Sequence, residues 1–294
     1  MKKNHLLTKF ERDNKLKVND GILTTTYRYL PTKDQFNLLN FYEPIDDNSK
    51  RPLIIYIHGG GWITGDRNNS LKFVYFLVKN GYNVMEMSYR LLSPVQHLID
   101  IVQDVYSSLN YLEDNFKTLD IDTNNIFFAG DSAGGQLSLL IDTINKNIKL
   151  TNIYKVKPYT FKIKAISLIH PVPFLKHIVV NPDNTLLDIG LSSTLYSLLI
   201  PYKKSLVAKY SSIEDYISFT KFPPILITSS YGDTNFYYQT TLLIDLFTKK
   251  HIYFDTYINK SYELPHVYNL IYDNKKEADK CNEYIINFFN KYLN

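Results

Sequence analysis

Cysteine is almost missing from these 294 residues: Cys281 stands alone. A single thiol excludes any disulfide within the chain and any zinc site built from several cysteines. It falls at helical spacing with Ala278, Ile285 and Phe288, which predicts a buried packing thiol rather than a reactive one. Long apolar runs are absent as well. No stretch approaches the ~20 residues that a membrane-spanning helix needs, so stable membrane insertion is excluded. Near the N-terminus, Leu6-Leu7 is cut off by Thr8, Lys9, Glu11 and Arg12, too short for the apolar core of a secretion signal; the cytoplasm is the expected location. Charge of one sign is not concentrated either. The net charge is +4, and Lys2, Lys3, Lys9, Arg12, Lys15 and Lys17 give a locally basic start. Elsewhere acids and bases alternate, so no nucleic-acid partner is indicated. There is no internal repeat and no low-complexity segment.

What is present is ordinary globular material, 45% hydrophobic and 21% charged, enough for a sizeable core. The 25 tyrosines and 17 phenylalanines are read first as core and strand fillers and second as pocket lining. Residues 1–20 show no readable element. Strand-like runs at 21–30 and 36–43 flank Pro31-Thr32-Lys33-Asp34, a hairpin turn. After a polar linker, residues 53–57 form a continuous apolar run of the kind that a strand buried on both faces shows. From there strands and helices alternate. Helices are predicted at 71–79, 96–113, 235–249 and 275–292, and further strands at 82–89, 126–128, 165–170, 225–229 and 252–258. That alternation implies an α/β fold with a mainly parallel sheet covered by helices on both faces. Functional groups in such sheets gather at the carboxyl ends of the strands.

The chain is organised around Ile126-Phe127-Phe128-Ala129-Gly130-Asp131-Ser132-Ala133-Gly134-Gly135. A β-branched and aromatic run ends in G-x-S-x-G, and Leu137, Leu140, Ile141 and Ile144 then repeat at helical spacing. Strand, sharp turn and helix together make a nucleophile elbow, with Ser132 at its apex. A serine hydroxyl needs a base to take its proton, and the base needs a carboxylate to orient it. His266, in a loop after the last strand and after the serine in the chain, is the preferred base; His170, at a strand end, is held in reserve. Asp233, three residues past the strand ending near Ser230, is the preferred acid. It is equally placed to cap the helix that follows, and one residue can serve both ends. A third requirement is a set of N–H groups for a developing oxyanion. His58-Gly59-Gly60-Gly61 follows the buried strand directly, and no Gly-Lys-Ser/Thr follows it, so it is not a phosphate loop. The backbone of this loop, together with the N–H of Ala133, is the candidate donor set.

Taken together, His58-Gly-Gly-Gly-Trp62, Tyr89-Arg90-Leu91 with Pro94 and Asp104, Gly130-Asp-Ser-Ala-Gly-Gly135, Pro223-Pro224, Asp233 and His266 resemble the hormone-sensitive-lipase-like branch of the α/β-hydrolases. The resemblance runs from about residue 50 to the C-terminus. It implies the α/β-hydrolase fold, hydrolysis of small carboxylic esters through an acyl-enzyme, and no cofactor or metal. By the same resemblance Ser132 is the nucleophile, His266 the general base and Asp233 its orienting acid, with the amides of Gly60, Gly61 and Ala133 around the oxyanion. His58, Trp62 and Asp131 are assigned to substrate binding. Short acyl groups are the expected preference. Gly65-Asp66 also brings in smaller relatives that include kynurenine formamidases, an alternative chemistry for the same triad. A third reading is a non-catalytic binding protein on the same scaffold. A single domain over 1–294 is expected, with a small helical cap from about 171–222 and the N-terminal segment 1–20 as a second contributor. Within the insert, Leu186, Leu187, Leu191, Leu195, Leu198, Leu199 and Ile200 either roof an acyl pocket or pack as ordinary helices on the sheet. The oligomeric state is left open.

Overall fold

The computed structural model describes residues 16–45, 49–180, 206–219, 221–272 and 276–294. At its centre is a nine-stranded sheet; numbered along the chain, its strands lie side by side in the order first, second, third, fifth, fourth, sixth, seventh, eighth and ninth. The first three strands, β1 (Leu16–Asn19), β2 (Ile22–Arg28) and β3 (Leu38–Pro44), pair antiparallel, and β3 runs antiparallel to β5 (Asn83–Met87). The others are parallel: β4 (Arg51–Ile57), β6 (Ile121–Asp131), β7 (Ile163–Ile169), β8 (Ile225–Ser230) and β9 (Phe254–Asn259). The predicted hairpin is β2–β3.

The apolar run in β4 is buried on both faces because alternate side chains enter different layers. Leu53, Ile55 and Ile57 join one hydrophobic cluster, Ile54 and Tyr56 the other. The first layer is closed by α2 (Leu98–Asp114), α3 (Ala133–Asn145) and α4 (Ile148–Tyr154). The second is closed by α1 (Leu71–Lys79), whose Phe73, Val74, Leu77 and Val78 face inward. To the same layer the C-terminal helix Lys276–Asn290 contributes Ile285, Phe288, Phe289 and the buried Cys281. Tyr42, Tyr56, Tyr82, Tyr89, Tyr106, Tyr154, Tyr216 and Tyr268 are all fully buried, so these tyrosines are core material.

The expected α/β-hydrolase architecture is therefore present, with some differences of detail. Strand β1 lies within a segment read as structureless, β6 begins five residues before its apolar run, and α4 is an additional helix. The cap expected from 171–222 falls largely outside the described residues, which omit 181–205 and 220 and also 1–15. The flanking pieces are described: α5 (Leu175–Val180), α6 (Leu206–Lys209) and α7 (Ile213–Tyr216). Ile178, Tyr210, Ile213 and Tyr216 from these pieces pack into the first layer of the main core. Residues 16–19, expected to contribute to the cap, form the edge strand instead. Among the described residues no helix is long and apolar enough to cross a membrane.

Candidate active site

Ser132 sits between the end of β6 and the first residue of α3, with φ 51° and ψ −116°. This backbone conformation is unfavourable for a side chain with a Cβ and persists only where the surroundings over-determine it. Four hydrogen bonds do so. Ser132 N–H donates to the Ile169 carbonyl at 2.8 Å, and the Ser132 carbonyl accepts from Gly135 at 3.1 Å, Val172 at 3.2 Å and Gln136 at 3.3 Å. The turn is also packed shut: a Cβ on Gly134 would collide with the carbonyl of Ile57, so α3 can begin this close to β4 only with glycine there.

The glycine loop leaves β4 one strand over. Gly60 has φ +109°, open only to glycine, and its carbonyl accepts from Ile63 and Thr64 to close a tight turn. Two anchors set its orientation. Asp131 Oδ1 accepts the Gly59 N–H at 2.9 Å and the Tyr56 hydroxyl at 2.6 Å. His58 Nδ1 donates to the Gly59 carbonyl at 2.8 Å while its ring stacks on Tyr89, 4.1 Å between centroids. Burial pushes the His58 imidazole down to about 4, so it stays neutral, and burial pushes the Asp131 carboxyl up against the pull of its two donors. Tyr89 in turn donates to the His58 carbonyl at 2.6 Å, and Arg90 pairs with Asp104 at 2.7 Å, which accounts for the Tyr-Arg…Asp pattern read in the sequence. With Gly59 fixed, the N–H groups of Gly60, Gly61 and Ala133 make no hydrogen bond among the described residues.

Asp233 follows β8 and is 1% exposed. Its Oδ1 accepts the Phe236 N–H at 3.1 Å, the local bond expected of a helix-capping residue, although the helix itself starts at Tyr237. Its Oδ2 accepts from two imidazoles, His266 Nδ1 at 2.7 Å and His170 Nδ1 at 2.8 Å. Burial alone would raise this carboxyl; the bonds from His170 and His266 outweigh it and hold the group well below the usual carboxylate range. His170 is wholly buried, and desolvation brings it down to about 4. The three donor atoms lie within 4.8 Å of one another, a spacing a metal ion could use, but both Nδ1 protons point at Asp233 and hydrogen bonding accounts for the grouping. His266 Nε2 is buried without a hydrogen-bond partner, so its bond to the serine is not made in this resting state. Such bonds commonly tighten only with substrate present.

One cavity of about 410 Å³ joins these parts. It is lined by Ser132, His266, the Gly59–Gly61 backbone, Trp62 and Asp131, with an apolar wall that includes Val172, Phe236, Val267 and Leu270. Of the residues expected to bind substrate, Trp62 and Asp131 reach the cavity. His58 does not: it is fully buried beneath the glycine loop. Trp62 is fixed by its Nε1–H donating to Gln136 Oε1 at 3.1 Å, while Gln136 Nε2 donates to the Ser211 carbonyl at 2.9 Å. Gln136 was not legible as a site residue. Its position on the inner face of α3 is an ordinary core position, and only the pairing reveals its use.

A strained serine between strand and helix at the carboxyl edge of a mainly parallel sheet, with an aspartate-held imidazole after the last strand, defines the α/β-hydrolase class. The chain belongs to the BD-FAE family, whose model matches residues 39–245. It is similar to Esterase B from Lactobacillus rhamnosis, with a TM-score of 0.86 at 27% identity over 95% of this chain and 88% of that one. It is also similar to carboxylesterase NlhH of Mycobacterium tuberculosis, 28% identical over 99 residues, which is 33% of this chain and 30% of that protein. Isoprenylcysteine alpha-carbonyl methylesterase ICME of Arabidopsis thaliana is 26% identical over 141 residues, 44% of this chain and 33% of that protein. The chain thus spans 30% and 33% of the length of these two curated relatives.

Proposed function

We propose that this chain is a serine carboxylesterase acting on small, short-acyl esters through an acyl-enzyme. Ser132 Oγ attacks the ester carbonyl and passes its proton to His266 Nε2, while Asp233 holds the ring by its Nδ1–H and stabilises the imidazolium. The charge that develops on the carbonyl oxygen is taken up by the N–H groups of Gly60, Gly61 and Ala133. His266 returns the proton to the departing alcohol, and a water activated by the same imidazole releases the acid. Trp62 and Asp131 border the bound substrate, and His58 supports the loop from below.

The observation that carries this reading is the shared cavity: the strained serine and the aspartate-bound imidazole, 134 positions apart in the chain, line one apolar-walled space. Its volume of about 410 Å³ suits a small ligand. Preference for short acyl groups draws support from Esterase B, a structure of which has a C4-C4 tributyrin phosphonate inhibitor. The formamidase alternative is not favoured, since the relatives named above are esterases. A cytoplasmic site of action, expected from the sequence, belongs to the same proposal. The test is hydrolysis of p-nitrophenyl butyrate together with labelling by a fluorophosphonate. Wild type should do both, and Ser132→Ala neither, with an unchanged circular dichroism spectrum. Hydrolysis that survives in Ser132→Ala refutes the nucleophile; a wild type that neither hydrolyses nor labels favours the binding-protein reading.

A further inference from the structure

Asp233 Oδ2 is shared by two imidazoles, whereas the mechanism above uses one. His170 is the second. It follows β7 directly in the left-handed backbone region, φ +46°, and its N–H donates to the Thr228 carbonyl at 2.8 Å. Its ring packs edge-on against His266 at 5.4 Å and Tyr268 at 5.5 Å between centroids. The side chain is fully buried, and its Nε2 has no partner among the described residues. A buried imidazole held in a strained turn for a single hydrogen bond makes poor sense as core filling, because an apolar side chain would pack there without the desolvation penalty.

We propose that His170 is a positioning residue for the catalytic carboxylate: as a second Nδ1–H donor it fixes Asp233 Oδ2 and tempers the hold of that oxygen on the imidazolium formed at His266. This rests on the esterase reading above. Two donors on one oxygen lock the carboxylate's rotation and spread its charge, so His266 meets a better-placed but weaker acceptor. Burial keeps His170 neutral, its proton affinity brought down to about 4, so it brings no competing positive charge at working pH. The other titratable groups facing the cluster come from the C-terminal helix, its neighbouring loop and the elbow. From the helix packed behind it, Cys281 is pushed up to about 12 by burial, and burial pushes Tyr268 far up as well. From the elbow, Asp131 acts on His266 through space and is tied to Tyr56 and Gly59.

The experiment is the pH profile of kcat/KM for p-nitrophenyl butyrate in wild type, His170→Asn and His170→Leu. Asparagine tolerates the left-handed backbone and offers an N–H near the place of Nδ1, so the profile should stay within a few tenths of a unit of wild type. Leucine removes the donor, the carboxylate then holds the His266 imidazolium more tightly, and the acid limb should move up by about one pH unit. Activity should fall at neutral pH and recover in alkali. A uniform loss in His170→Leu with no movement of the limb, or an asparagine variant no better than leucine, overturns the proposal. Should the leucine variant fail to fold, ¹⁵N-imidazole NMR of wild type decides. His170 must be the Nδ1–H tautomer and stay neutral between pH 5 and 9 (roughly the window set by its burial); an Nε2–H tautomer overturns the inference. A wild type without esterase activity would sink the functional reading instead, and the NMR result would still stand for or against the hydrogen bond.

Discussion

Asp131 and Gly59 are joined across two neighbouring strands: the carboxylate beside the candidate nucleophile accepts the N–H of the first glycine in the loop at 2.9 Å. The elbow and the glycine loop are thus one mechanical unit rather than two adjacent motifs. The expected outcome for Asp131→Ala is a kcat lower by about 10²-fold with KM little changed, because the loop amides lose their aim toward a developing oxyanion. Steady-state kinetics on p-nitrophenyl butyrate checks it. A rise in KM alone would mean that Asp131 contacts substrate instead of setting the loop.

His266→Ala should lower kcat by at least ~10³-fold while leaving the melting temperature within a few degrees. The ring lies at the cavity wall, so its removal leaves no buried void of consequence. If His170→Ala produced that loss and His266→Ala did not, the roles of the two imidazoles would be exchanged.

Gly134→Ala tests the elbow's packing. The added methyl would press on the Ile57 carbonyl, which belongs to the central strand and cannot retreat. Destabilisation of at least about 2 kcal/mol is expected, seen as a lower midpoint in urea or as insoluble expression. An unchanged midpoint would show that α3 can slide away from β4.

Asp142, buried on the inner side of α3 with Lys146 at 2.7 Å, makes a prediction about pH. Burial pushes its carboxyl up to about 6, with Lys146 only partly offsetting the effect. A carboxyl raised in the folded state binds its proton more tightly there than in the unfolded chain. Stability from this group is therefore greatest near pH 4 and is lost as pH rises through about 6. Asp142→Asn should raise stability by roughly 1–3 kcal/mol at pH 7.5, and the gain should shrink toward pH 4.5. Equal gains at both pH values would contradict the assignment.

A series of p-nitrophenyl esters of graded acyl length should peak at short chains, with kcat/KM falling beyond butyrate or hexanoate. The apolar wall that includes Val172, Phe236, Val267 and Leu270 bounds the space beside the serine. A maximum at laurate or longer would show that this wall does not limit the acyl group.

Much of this site is legible in the chain because its parts are local. The elbow needs glycine at 130 and 134, and the glycine loop needs residues free of Cβ, so both leave marks at fixed spacing. His266 and Asp233 were readable by a different route, their places after the last two strands. The twin contacts on Asp233 were not, since they depend on how β7 turns at His170, 63 residues before the aspartate. Strand β1 went unseen because an edge strand of four residues with lysine in it carries no apolar pattern. His58 reads as part of a binding motif, yet its ring is folded under the backbone that it shapes.

The backbone at Ser132 has a consequence for durability. Its left-handed torsions, φ 51° and ψ −116°, store on the order of 1–3 kcal/mol that glycine would not have to bear. Replacing the serine with glycine should therefore give a protein that survives heat better and does nothing. Usefulness and longevity pull in opposite directions at a single position, and any search for hardier versions of this chain would have to leave that position alone.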